Sequence, residues 1–180
     1  MLDRLAATGQ PPAMDERSEG TGTAGRPVVV QGPGLSLTDA AAWVGNACWA
    51  ELRWHQVLTS WLADEADAAS ATRWWSLRSD AAERAEAWHR RLPRLRELPR
   101  SGFVLPPTGD SPLVDTLDHA ETATNRPAAV KSILDHLTKG YEAHQRVAVG
   151  PADGPAARTL TDALTSIARS RRSRPVSPAR

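Results

Sequence analysis

Apolar residues recur at steps of three and four through the middle of the chain, the spacing of one helical face. Over residues 36–64 the stripe is Leu37, Ala41, Val44, Cys48, Leu52, His55, Leu58 and Leu62, with Trp43, Trp54 and Trp61 on its flank. Ser36 or Thr38 can cap this helix, and Asp39 suits the positive end of its dipole. A second helix is predicted from Asp67 to Leu92, on Trp74, Leu77, Ala81, Ala85, Trp88 and Leu92. Pro93 should kink or end it, because proline has no amide hydrogen and its ring collides with the preceding turn; Leu95 and Leu98 are placed on an extension beyond the kink. A third helix is predicted to begin at Asn125–Pro127, where proline fits the first turn, and carries Val130, Ile133, Leu134, Leu137, Tyr141 and His144. Gly150 and Pro151 make a turn, and Asp153 is placed as the cap of a fourth, short helix with Leu160, Leu164 and Ile167 on its face.

The connections suggest the topology. The first and second helices are joined by a short link, as are the third and fourth, so each pair is expected to be antiparallel neighbours. Residues 99–125 form a long connection broken by Pro99, Gly102, Pro106, Pro107, Gly109 and Pro112, with one short helix suggested by Leu113, Val114 and Leu117. Two helical hairpins joined by one long crossover is the connectivity of a ferritin-like four-helix bundle. The expected fold class is therefore all-α with that architecture. Residues 1–35 read as a disordered N-terminal arm, 36–168 as the bundle and 169–180 as a disordered basic tail.

Composition supports helices and narrows the partners. Core segments are rich in Ala, Leu and Trp and poor in Ile, Phe and Tyr, which favours helix over strand. A net charge of +1 gives no general attraction to nucleic acid, and the arginines of the tail (Arg169, Arg171, Arg172 and Arg174) would add only non-specific phosphate affinity; nucleic acid is not an expected partner. The lone Cys48 excludes an internal disulfide and fits a reducing, cytoplasmic setting. No signal peptide or membrane span is expected. The tryptophans read as core and interface anchors. Trp74 and Trp75 are adjacent and cannot both face one core, so a homo-oligomer or protein partner through a Trp-rich face is expected.

Candidate chemistry centres on a few acids and histidines. Glu51 lies beside the first stripe; Glu86 and His89 form a Glu-x-x-His on the second helix; Glu142 and His144 lie on the third. Residues three apart share a helix face, so a Glu-x-x-His can serve one metal pair. The fourth helix has no histidine: Asp162 is its only acid past the cap, and Thr165 stands three residues on. Each residue also has a plainer reading. Glu51 is either a ligand or the ion-pair partner of an arginine on the second helix. A Glu-x-x-His on a surface helix also arises by chance. His55 reads as a hydrogen-bonded boundary residue, Cys48 as a small buried hydrophobe, and the arginines of HRRLPRLRELPR as a solvated face.

The segments GNACWAELRWHQVLTSWLADEADAASATRWWSLRSDAAERAEAWHRRL and LVDTLDHAETATNRPAAVKSILDHLTKGYEAHQRVAV resemble actinobacterial ferritin-like proteins related to the tRNA-modifying di-iron hydroxylase branch, over roughly residues 36–168. By that resemblance Glu51 matches the first-helix carboxylate. Glu86 and His89 match the second-helix pair, with Glu83 a competing alignment one turn away. The third-helix acid falls on or beside Tyr141–Glu142, and the fourth-helix pair falls on Asp162 and its neighbours, where the histidine is missing. The resemblance implies a metal set of Glu51, Glu86, His89 and Glu142, with iron as the metal and at most one tightly bound per chain. It implies an accessory or binding subunit with a degenerate di-iron site. The alternatives are an iron-dependent oxygenase with an unusual ligand set that includes His55 or His144, and a nucleic-acid-associated protein acting through the tail. No catalytic residue is assigned.

Overall fold

The computed structural model describes residues 34–172; the expectations for residues 1–33 and 173–180 fall outside it. Its elements are α1 (Leu37–Ala63), α2 (Ala68–Arg91), α3 (Pro112–Glu121), α4 (Arg126–Val147) and α5 (Gly154–Arg172), with short 3₁₀ turns at Arg100–Phe103 and Pro151–Asp153. The described residues contain no strand, and the fold class is all-α. Three helices begin on side-chain caps. Ser36 accepts from the amide of Asp39 at 3.1 Å, Asp67 from Ser70 at 2.7 Å, and Asn125 from Ala128 at 3.1 Å. Each cap satisfies an amide that the helix itself leaves without a partner.

α1 and α2 pack along their length and run antiparallel: Cys48 faces Ala85, Glu51 faces Arg84, and Trp61 meets Trp74, in opposite order along the two helices. α5 lies against α4 and α2, and α3 bridges α1 and α4. Arg171, near the end of α5, reaches Leu134 in the first half of α4, so this pair is antiparallel too. Trp54, Trp61 and Trp88 are among the largest fully buried side chains, joined in the core by Leu58, Ile133, Leu137, Leu160 and Ile167.

The buried arc of α1 is not the predicted one. Leu37 and Leu52 are exposed, whereas Trp54 and Trp61, expected on the flank, are sealed in the core. The reason is that α1 is covered by α2 on one side and by α3 and α4 on another, so its buried arc is wider than one stripe. Trp54, Trp61 and Trp74 stack edge-on in series at 5.5 and 5.3 Å, a preferred aromatic geometry. The Trp61 indole N–H donates to the Ala120 carbonyl at 3.0 Å, tying α3 to the core. Trp75 is 60% exposed while its neighbour Trp74 is buried, as their adjacency demands.

Three further expectations need correction. Leu95 and Leu98 do not extend α2; both are exposed in the connection, because α2 stops at Arg91 ahead of Pro93. Asp153 does not cap α5. It accepts from the Gly150 amide at 2.8 Å and closes the preceding 3₁₀ turn. Residues 169–172 are helical rather than disordered. Ser170 is buried and donates to Asp80 at 2.8 Å, and Arg171 pairs with Asp135 at 2.7 Å, so this end of α5 gains partners that composition does not reveal. Among the described residues no helix is long and apolar enough to cross a membrane.

The long connection is pinned to α1 at Gly45. A Cβ there would lie 1.9 Å from the Phe103 carbonyl oxygen, so only glycine allows the Arg100–Phe103 turn to sit where it does. Gly45→Ala is expected to destabilise the protein by about 1–3 kcal/mol, although alanine is the better helix former. A lowered urea midpoint at unchanged slope checks this. A midpoint equal to or above wild type would mean that the turn is not held against α1.

Candidate functional site

One buried polar cluster draws a side chain from each of the four long helices. Glu51 of α1 is fully buried (0% exposed) and Arg84 of α2 is 5% exposed. Arg84 grips both carboxylate oxygens, Nε to Oε1 at 2.7 Å and Nη2 to Oε2 at 2.9 Å. Its remaining nitrogen, Nη1, donates to Ser166 of α5 at 3.1 Å. The hydroxyl of Tyr141 on α4 donates to Glu51 Oε1 at 2.5 Å and accepts from the Trp88 indole at 3.1 Å. This is a forked, charge-assisted pair whose remaining hydrogen-bonding groups are largely satisfied, the arrangement a buried ion pair needs.

The electrostatics follow from burial. Desolvation works against the Arg84 charge, but the Glu51 carboxylate outweighs it and holds the guanidinium above its ordinary range. Burial, and then the charge of Glu51, push the Tyr141 phenol well above its usual value, so it stays a protonated donor. The Cys48 thiol is pushed up to about 11 by burial and then by Glu51 and Glu86, and it donates weakly to the Ala85 carbonyl at 3.5 Å. A thiol so far from ionising is no nucleophile at neutral pH.

Beside the cluster lies a cavity of about 500 Å³, within the usual range for small-molecule sites. It sits between α1, the middle of α4 and the approach to α3, lined by Trp43, Ala47, Leu137, Gly140, Tyr141 and His144 among others. His144 is 2% exposed and lies between two indoles, stacked on Trp43 at 5.1 Å and on Trp88 at 6.0 Å. Burial lowers its pKa, with Asp153 opposing, so the ring is neutral at pH 7. Its Nδ1 has no hydrogen-bond partner among the described residues.

Of the expected metal set, only Glu51 enters the cluster, and there both its oxygens are held by arginine. Glu86 is 60% exposed on the outer side of α2, 3.5 Å from Arg90. Glu142 and Glu83 are exposed, His89 is half-buried, and Asp162 is exposed on α5. The expected convergence of Glu51, Glu86 and His89 is therefore corrected: among the described residues, no three His, Cys, Asp or Glu side chains come together as a metal-binding group. The physical reason is phase. Glu86 is two residues from Arg84, about 200° around the helix, and so faces away from the side that meets Glu51. The expected arginine partner for Glu51 is Arg84. Its signal in the sequence is an arginine on the apolar stripe, three residues after Ala81 and four before Trp88. Comparison with protein-family models, with curated proteins and with solved structures returned no match.

Removing one partner of the pair strands the other. Arg84→Met is expected to cost about 3–5 kcal/mol, because the carboxylate loses its counter-charge. Adding Glu51→Gln should restore a large part of that loss by removing the stranded charge. Denaturant titration of both variants decides it; a double variant no more stable than Arg84→Met would sink the argument.

Stability should also fall in mild acid. The folded-state pKa of His144 lies below its ordinary 6.5, so below that value the unfolded chain binds a proton that the folded chain does not. His144 therefore contributes fully above about pH 6.5, and its contribution is lost as pH falls through its folded-state pKa. Half-buried His55 is shifted the same way, by burial and then by Arg78. Thermal midpoints should thus drop more steeply below pH 6.5 in wild type than in His144→Phe. Equal slopes would remove His144 from the account.

Proposed function

We propose that this chain is a ferritin-like four-helix bundle, with α3 inside its one long crossover, that serves as an accessory or binding subunit rather than as a di-iron enzyme. The connectivity supports the scaffold: residues 64–67 link α1 to α2, residues 148–153 link α4 to α5, and residues 92–125 separate the two hairpins. The observation that carries the functional reading is the forked Arg84–Glu51 pair. The residue matched to a metal-bridging carboxylate has both oxygens occupied by a permanent cation, which repels a second cation from the same place. The residues present do not fit a di-iron group, since Glu86 and Glu142 are exposed and α5 carries no histidine. An arginine in the metal's place keeps the bundle's polar centre closed without a redox-active ion.

Elemental analysis of the full chain from iron-supplemented cells, beside Glu86→Ala and His89→Ala, tests the reading. Substoichiometric metal, unchanged in both variants, is the expected result. Two irons per wild-type chain, lost in both variants, would overturn it and make the oxygenase reading the better one.

A further inference from the structure

The cavity beside the polar cluster has features that packing alone does not explain. Gly140 lies inside α4, where glycine costs about 1 kcal/mol relative to alanine. A Cβ at this position would meet nothing within 4 Å, so no close approach of neighbouring atoms requires glycine. What the missing side chain leaves is room in the cavity that Gly140 lines. An alanine or leucine here would favour the helix and narrow that space.

The polar side chains at the cavity are Asp39, Asn46, Ser111, His136, Tyr141 and His144. The Tyr141 hydroxyl already donates to Glu51 and accepts from Trp88. His144 is different: it lines the cavity, is almost wholly buried, and has an Nδ1 sealed without a partner among the described residues. A buried bare lone pair is more tolerable than a buried unmet N–H, which assigns the proton of the neutral ring to Nε2. The ring's free polar group is then a donor, and it calls for an acceptor. No lysine or arginine lines the cavity, and its one acid, Asp39, takes a hydrogen bond from Ser36 at 2.6 Å. An anionic ligand would meet no lysine or arginine there. Asn46, Ser111 and His136 add polar edges, and the other walls are apolar or aromatic, with Trp43 already stacked on the His144 ring.

We infer that this cavity binds a flat, uncharged aromatic molecule carrying a carbonyl oxygen, packed against Trp43 and hydrogen-bonded by His144. The inference deepens the binding-subunit reading and rests on it. Gly140 provides the space, the Trp43 indole provides the face, and the edge of His144, through its Nε2–H, sets the orientation of the carbonyl.

The probe is Prodan, a flat, uncharged naphthyl ketone whose emission shifts to the blue in apolar surroundings. Titration into the full-length protein should give saturable, blue-shifted emission at one site per chain. Gly140→Leu fills the cavity on a helix it should also stabilise; with circular dichroism and thermal midpoint at least equal to wild type, it should lose binding by tenfold or more, about 1.4 kcal/mol. His144→Phe keeps a ring of similar shape and removes the donor; the loss of one net hydrogen bond predicts several-fold to about tenfold weaker binding. Anilinonaphthalene sulfonate, aromatic but anionic, should bind at least tenfold more weakly than Prodan. Unsaturable Prodan binding, a folded Gly140→Leu that binds as wild type does, an unaffected His144→Phe, or preference for the sulfonate would each overturn the proposal. Measuring metal in the same preparations separates the two readings. Stoichiometric iron with intact Prodan binding defeats the accessory-subunit reading alone, and failed Prodan binding without metal defeats this inference alone.

Discussion

A carboxylate buried in the middle of a helical bundle has to be neutralised, and in this chain the Glu51–Arg84 pair does it. Taking two charges out of water costs several kcal/mol per ion, and Coulomb attraction offsets that only when geometry and hydrogen bonding are nearly complete. Here they are: Arg84 meets both oxygens of Glu51, Ser166 takes its third nitrogen, and Tyr141 adds a donor to the carboxylate. The consequence is geometric. A guanidinium fork fits a carboxylate in one orientation, so α1 cannot slide by a turn against α2 without stranding both charges. Tyr141 and Ser166 impose the same condition on α4 and α5. An apolar core of Leu and Trp tolerates small shifts, and this cluster does not.

Helical periodicity made most of the fold legible. Ser36, one of two expected caps, holds the start of α1; α2 and α4 begin after Asp67 and Asn125, near their expected starts; and Pro93 and the Pro- and Gly-rich connection fall outside the long helices. The errors came from tertiary context. A single stripe describes a helix covered from one side, but α1 is covered from two, so the tryptophans moved into the core and Leu52 moved out. The end of α5 resembled a basic tail because composition cannot show that Asp80 and Asp135 wait on α2 and α4 to receive Ser170 and Arg171.

The candidate site was half legible. Glu51 stood out as an acid beside an apolar stripe, and an arginine of α2 was one of its two readings. What misled was spacing without phase. Glu86-x-x-His89 has the interval of a metal-ligand pair, yet the residue that faces Glu51 is Arg84, two positions earlier. Likewise the residue of α4 that points at the cluster is Tyr141 and not its neighbour Glu142, one step or about 100° away. Intervals within a helix survive any rotation of it, so they cannot say which face is turned inward. The cavity left a still weaker trace, since its mark in the sequence is a side chain that is absent, at Gly140.

The polar cluster and the cavity are parts of one construction. Trp88 donates its indole hydrogen to Tyr141 and lays its ring near His144, while Tyr141 both binds Glu51 and forms cavity wall. Any displacement of Arg84 that releases Glu51 therefore loosens Tyr141, and through Trp88 it reaches the imidazole. Burial holds Tyr141 protonated and His144 neutral, so two groups at the cavity keep fixed charge states at neutral pH. A rigid wall lowers the ordering cost of binding, because the side chains that would have to be fixed around a guest are already fixed. A loosely bound ion at the same point would leave those walls dependent on its occupancy. An arginine built into α2 makes them a property of the folded chain itself.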